Sequence, residues 1–176
     1  MNLEEFIAKH GVAQSLEKAQ HVFYQGDSSN CLYFVKSGLL KAYYLSDDGK
    51  ETIKSFIQCN NVIGSISAVT ANTHCTFNLI ALAPSELIRF NFNDLQHCIA
   101  QSHTLAQSVI AMLLNHSMKK EQREFEFLML PAEERYTRFK EKEPELVNKL
   151  TQNDIAKYLG ITPVALSRIK HRSTGV

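Results

Sequence analysis

The chain has 176 residues, enough for one large domain or two small ones, and 44% hydrophobic with 21% charged is ordinary for a soluble protein with a core. Its formal charge of +1 excludes a global basic field, so any nucleic-acid contact must come from a local patch. No apolar run approaches the ~18 residues a membrane span needs, and Glu4 and Glu5 stand where a secretory signal needs basic residues. A cytoplasmic protein with no membrane partner is expected.

Leu3, Phe6 and Ile7 predict a short amphipathic helix ending near Gly11. From His21 the texture turns to β. His21–Phe23 reads as a strand before a Gly-Asp-Ser-Ser turn, and the run from Cys31 to Val35 is closed by Ser37-Gly38. Two further runs flank Asp47-Asp48-Gly49, a strong hairpin signal. Two more surround Ala83-Pro84-Ser85. Short strands at this spacing predict an antiparallel sandwich or barrel.

Near residue 95 the period changes. Asn93 or Asp94 can cap a helix whose apolar residues Leu95, Ile99, Leu105, Val109, Met112 and Leu113 carry it to about Arg123. Such a helix is long for the small barrel before it, and packing against a second copy of the chain is expected; packing on its own subunit is the alternative. Lys119, Lys120, Glu121, Arg123 and Glu124 read as a solvated face. Pro131 can occupy the first position of another helix, and a turn follows around Glu143-Pro144.

The cysteines Cys31, Cys59, Cys75 and Cys98 form no CxxC or Cys/His finger pattern. Reduced thiols in a core are expected, with metal ligation the lesser reading. The histidines show no HExxH and no i, i+4 pair beside a carboxylate, so no metal or cofactor is expected.

The most informative stretch runs from Leu150 to Arg172. Thr151 can cap a helix with Ile155, Ala156 and Leu159 on its apolar face, and Gly160 permits the left-handed exit. Thr162 and Pro163 then suit the cap and first position of a second helix. Leu166 and Ile169 face inward there, leaving Ser167, Arg168 and Arg172 toward solvent. Helix, tight glycine turn and helix is the DNA-binding motif whose second helix enters the major groove. An ordinary helical hairpin is the bland alternative; small Ala156, the Thr-Pro cap and the basic tail favour double-stranded DNA as partner.

With these residues in place, the sequence resembles the CRP/FNR family of bacterial transcription regulators over nearly its whole length. The matching segments, in order, are Phe23-Tyr-Gln-Gly-Asp, Leu32 to Gly38, Asp48-Gly-Lys-Glu51, Leu130 to Tyr136, Ile155 to Pro163 and Leu166-Ser-Arg168. The resemblance implies an α+β protein: a double-stranded β-helix (jelly-roll) sensor over 1–94, a dimerisation helix over 95–125 and a winged helix-turn-helix domain over 126–176. It also implies promoter binding by a symmetric homodimer. The sequence runs only to Ser173-Thr-Gly-Val176 after the second helix, so a wing is expected before the motif.

Two departures from the family pattern matter. Cyclic-nucleotide-binding relatives carry a Gly-Glu pair and then an Arg for the phosphate. Here Gly64 is followed by Ser65, and the loop Asn72-Thr-His74-Cys75-Thr76 has no Arg. Loss of a bidentate guanidinium removes a few kcal/mol of phosphate binding, so cyclic AMP is not expected as the effector. Gly64, Ser65, His74, Cys75 and Thr76 remain the candidate pocket for an unknown small molecule; a solvated loop is the other reading of His74. Iron–sulfur relatives use clustered N-terminal cysteines, and none precedes Cys31.

The second departure is Val164, where the family commonly has an acidic residue. The resemblance leaves Arg168 as the base reader able to address guanine, while Val164 and Ala165 suit a thymine methyl. Thr162, Ser167, Lys170, His171 and Arg172 are then phosphate contacts. The alternative is a small-molecule sensor whose reading head is degenerate. An enzyme on a jelly roll would need a 2-His-1-carboxylate triad, and the barrel offers only His21 and His74, so no enzyme is expected. Activation would require RNA polymerase as a further partner, and no motif marks that surface.

Overall fold

The run Cys31–Ser37 is apolar nearly throughout because both of its faces are covered. Tyr33 and Val35 enter one core while Leu32 and Phe34 enter another, so this strand cannot show simple alternation. The computed structural model describes residues 1–174, the side chains of Ser173 and Thr174 excepted, so the expectation about the chain's end falls partly outside the described residues. Two compact units divide it, Met1–Leu113 and Leu114–Val176.

In the first unit, eight strands form two four-stranded antiparallel sheets. One runs β1 (Val12–Leu16), β8 (Ser85–Asn91), β3 (Cys31–Ser37), β6 (Val62–Ile63), and the other β2 (His21–Phe23), β7 (Asn78–Ala81), β4 (Leu40–Leu45), β5 (Glu51–Ile57). Side chains from both sheets, among them Leu16, Val35, Leu40, Ala42, Leu79 and Leu87, make the core between them, the architecture of a jelly roll. The β4–β5 hairpin closes at the expected Asp-Gly turn, where Gly49 has φ +79°.

The outer face of the first sheet is covered by α1 (Leu3–His10), α3 (Phe92–Gln101) and the start of α4 (His103–Met129). Phe6, Leu95, Leu105 and Val109 bury themselves there against Leu32 and Phe90. α1 is held by a capping box between Asn2 and Glu5 and ends before Gly11 as expected.

Several expectations are corrected. The single helix from Asn93 is two: Asn91 caps α3, and Ser102, with extended backbone, ends it and accepts from Leu105 N to start α4. Leu105, Val109 and Met112 pack on their own β-domain, while Ile110, Leu113, Leu114 and Met118 of α4 stay exposed. Strands β1 and β6 and helix α2 (Ile66–Ala71) had no signal strong enough to read; two of the three are edge strands and the third is a six-residue helix. Of the cysteines only Cys75 is buried in the core; Cys31 and Cys98 are half-buried and Cys59 is exposed in the turn after β5.

The second unit is helical: α5 (Ala132–Lys142), α6 (Pro144–Lys149), α7 (Gln152–Leu159) and α8 (Pro163–Thr174) follow α4. Pro131 is the cap of α5, not its first residue, because its ψ of 157° is extended. Among the described residues no strand follows Asn91, so they hold no wing before the motif, where the short helix α6 leads into α7. No helix among the described residues is long and apolar enough to cross a membrane.

Candidate nucleic-acid interface

The reading head is built from its caps inward. Thr151 Oγ1 accepts from Asp154 N at 3.0 Å and donates to Asp154 Oδ2 at 2.5 Å, fixing the start of α7. Ile155, Ala156 and Leu159 then turn into the core, and fully buried Ala156 leaves room for α8 to approach. Gly160 takes φ +68°, and Ile161 N reaches back to Ala156 O at 3.0 Å, closing the helix in a left-handed cap. Thr162 Oγ1 accepts from Ala165 N at 3.2 Å and starts α8, whose Leu166 and Ile169 are buried.

The other side of α8 is open to water. Thr162, Val164, Ser167, Arg168, His171 and Arg172 are exposed, with Val164 61% so, and Ala165 and Lys170 are half-buried. An exposed valine in the first turn of a helix gains nothing from its own fold. The arrangement offers a groove-sized ridge with an apolar tip, a fork donor one turn on and further cations behind.

Lys170 and Arg172, both expected phosphate contacts, already have side-chain partners. Lys170 Nζ donates to Gln152 Oε1 at 3.1 Å, and Arg172 lies 3.8 Å from Glu133 Oε2 as an exposed pair. Gln152, at the first position of α7, thereby joins the surface next to α8; sequence reading missed it because nothing but its place after Thr151 marks it.

Arg123 also departs from its reading as solvated. Its guanidinium stacks 3.9 Å over the Tyr158 ring and donates to Tyr158 O at 3.0 Å, and burial pulls its pKa below the usual arginine value. Arg135 donates to Leu130 O at 2.7 Å and Leu159 O at 2.9 Å. Phe127 lies between the two guanidinium groups, 4.9 and 4.8 Å from them.

In the β-domain the five expected pocket residues separate. Ser65 and Cys75 are buried together; the Ser65 hydroxyl meets Ser67 Oγ at 3.3 Å, and burial pushes the Cys75 thiol pKa up. Gly64 is buried because a Cβ there would stand 2.5 Å from Leu32 Cδ2 and 3.1 Å from Cys31 O. His74 and Thr76 face water, His74 as a bridge partner of Ser28. A cyclic nucleotide finds neither a carboxylate at Ser65 nor a guanidinium in residues 72–76, and the Cys75 and Phe77 side chains belong to the core. The residues present do not fit that ligand. Among the described residues no three His, Cys, Asp or Glu are grouped to hold a metal ion.

A jelly roll followed by a long helix and a helix-turn-helix defines a class of sensor-regulators, and comparison with known proteins agrees. Residues 13–102, just over half the chain, match the cyclic nucleotide-binding domain family. The chain belongs to the CRP/FNR family of transcription regulators. It is 29% identical over 169 residues to the anaerobic regulatory protein of Haemophilus influenzae, covering 89% of this chain and 65% of that one. Against the electron transport regulator A of Shewanella oneidensis the figures are 28% over 170 residues, 89% and 66%. The chain thus spans just under two thirds of the length of these relatives. The fold matches FixK2 from Bradyrhizobium japonicum with a TM-score of 0.80 at 18% identity, over 92% of this chain and 83% of that one.

Proposed function

We propose that this protein is a homodimeric, sequence-specific DNA-binding regulator whose effector is not cyclic AMP. The observation that carries the reading is α8: capped by Thr162, anchored by Leu166 and Ile169, and presenting Val164, Ser167 and Arg168 to water. Arg168 supplies the bidentate contact to guanine, and Val164 with Ala165 meets a thymine methyl. Thr162, Ser167, Lys170, His171 and Arg172 hold phosphates, the last after parting from Glu133.

Dimerisation belongs to α4. Ile110, Leu114 and Met118 follow one another at i, i+4 spacing and are 55, 61 and 67% exposed, an apolar line that a second copy would cover. In functional terms residues 1–94 sense, 95–125 pair and 126–176 read. For an effector the reading keeps the β-domain segments that carry Gly64, Ser65, His74, Cys75 and Thr76; RNA polymerase is the further partner if the protein activates.

The test is selection of genomic fragments by the purified protein at moderate salt, repeated with Arg168→Ala. A palindromic site enriched by the natural protein and lost with the variant supports the reading. Uniform, salt-sensitive retention that ignores Arg168→Ala overturns it and favours a sensor with a degenerate head, the reading to which exposed Val164 points.

A further inference from the structure

We infer that Arg123 and Arg135 are positioning residues that lock α7 and its Gly160 turn to the last turns of α4, so that α8 is aimed by α4 and not by the Leu130–Pro131 turn. The inference rests on the reading of the chain as a two-headed DNA binder. It starts from an unmet need: the last carbonyls of a helix have no donor within the helix, and the helix dipole makes that end negative.

At the end of α7 those carbonyls are Tyr158 O and Leu159 O. Each receives a guanidinium from a different element, Arg123 of α4 at 3.0 Å and Arg135 of α5 at 2.9 Å. The second arm of Arg135 takes Leu130 O at 2.7 Å, where α4 ends, so one side chain clamps both helix termini. Phe127 fills the space between the two cations, and its ring edge stands 2.9 Å from where a Cβ on Gly160 would be. An ion pair between Lys142 Nζ and Glu126 Oε1 at 2.8 Å ties α5 to α4 a second time.

Leu130 and Pro131 alone separate α4 from α5, and swinging the head about them would break the contacts that cross from α4: Arg123 with Tyr158, Phe127 with Arg135 and Gly160, and Glu126 with Lys142. The stack over Tyr158 and the fork to two carbonyls both need a planar guanidinium, which lysine lacks. Residues from Arg123 to the end of α8 therefore turn together, and rotation of α4 about its own axis re-aims the recognition helix directly.

The experiment uses the full chain, Arg123→Met and, as a variant that keeps the charge, Arg135→Lys. Amide exchange in the free protein reads the lock: the Ile161 amide, bonded to Ala156 O, is expected to exchange at least ~10-fold faster in either variant while buried Ile155 keeps its rate. Binding to the selected operator, with its half-sites moved apart by one and two base pairs, reads the aim. The natural protein is expected to prefer one spacing by ~10-fold or more and the variants by only ~2-fold, since a loosened head accepts other separations. A general loss of folding would instead weaken all spacings alike. Unchanged Ile161 exchange, or a spacing preference that survives a loosened turn, overturns the inference. If the natural protein selects no operator, the DNA reading fails on its own, and the exchange measurement still decides the lock.

Discussion

The ring of Phe127 and the backbone of Gly160 share one space: a Cβ on Gly160 would stand 2.9 Å from Phe127 Cε1 and 3.0 Å from Cζ. Gly160 also holds φ +68°, which L side chains resist. Held between two guanidinium groups, Phe127 cannot swing aside without breaking both stacks. Gly160→Ala is therefore expected to destabilise the helical unit by about 2 kcal/mol, the sum of left-handed strain and the displaced ring. Urea unfolding followed by circular dichroism checks it, and Gly160→Ala with Phe127→Leu should recover part of the loss.

Arg168 is exposed and has no hydrogen bond or ion pair among the described residues. Arg168→Ala should leave the melting temperature within about a degree, since surface changes stay near ±0.5 kcal/mol, while operator affinity falls by about 1–3 kcal/mol. Fluorescence anisotropy on operator and scrambled DNA separates the two effects: the loss belongs to the operator alone.

Arg172 gives a contrast of opposite sign. Its exposed pairing with Glu133 competes with any phosphate. Glu133→Gln frees the guanidinium and should tighten binding to all sequences a few-fold, with a steeper dependence on salt. Titrations at two salt concentrations would show it; an unchanged salt slope would remove Arg172 from the phosphate contacts.

Leu114 and Met118 sit 61 and 67% exposed on α4, so a charge there costs the single chain little. Leu114→Glu is expected to shift the protein from dimer to monomer by sedimentation while its circular dichroism keeps the folded helical and strand signal; unfolding then becomes independent of protein concentration. DNA affinity should drop by two orders of magnitude or more, because the second head no longer binds from a tethered position. A variant that sediments as the natural protein does would place the pairing surface elsewhere.

His21 contributes a pH dependence below neutrality. Burial first, and Lys41 second, lower its pKa from the usual 6.5, while Tyr24 stacks on the ring and Nε2 meets Tyr43 Oη at 3.0 Å. Lys41 is itself held by Glu51 at 2.8 Å. The unfolded chain therefore binds the proton more readily than the folded one. This share of stability is present above pH 6.5 and is lost as pH falls from 6.5 through the lowered pKa of the folded state. Urea midpoints at pH 7.5 and 5.5 should differ more for the natural protein than for His21→Gln.

What could be read without coordinates, and what could not, follows from where the information is stored. The α7–α8 head is written in local chemistry: Thr151, Gly160, Thr162 and Pro163 each satisfy or release a backbone group at a fixed offset, so the motif stands out residue by residue. The hairpin at Gly49 is legible for the same reason. β3 misled nothing but revealed little, since a strand covered on both faces loses its period. Ser102 was hidden because apolar periodicity continues through it while its backbone does not. Arg123 was read as a solvated charge because Tyr158, whose carbonyl and ring it meets, lies on another helix, and neither that residue nor Phe127 carries a complementary charge in the sequence. The candidate pocket stayed out of reach in the same way: its residue types were visible, but which of them turn inward depends on how β6 and β7 meet the core.

Strand β8 pairs with both β1 and β3, Val12 opposite Arg89 and Tyr33 opposite that same residue. It is also the last strand to be made. At the roughly 5–20 residues per second of synthesis, the first sheet must wait several seconds with β1 and β3 lacking the strand that lies between them. The helices after it contact near neighbours and can form as they emerge, since short-range contacts close quickly. Birth on the ribosome thus leaves the β-domain's apolar edges bare for a defined interval, which makes Ser85–Asn91 the segment whose delay, by slow codons or a stalled ribosome, would most expose this protein to aggregation.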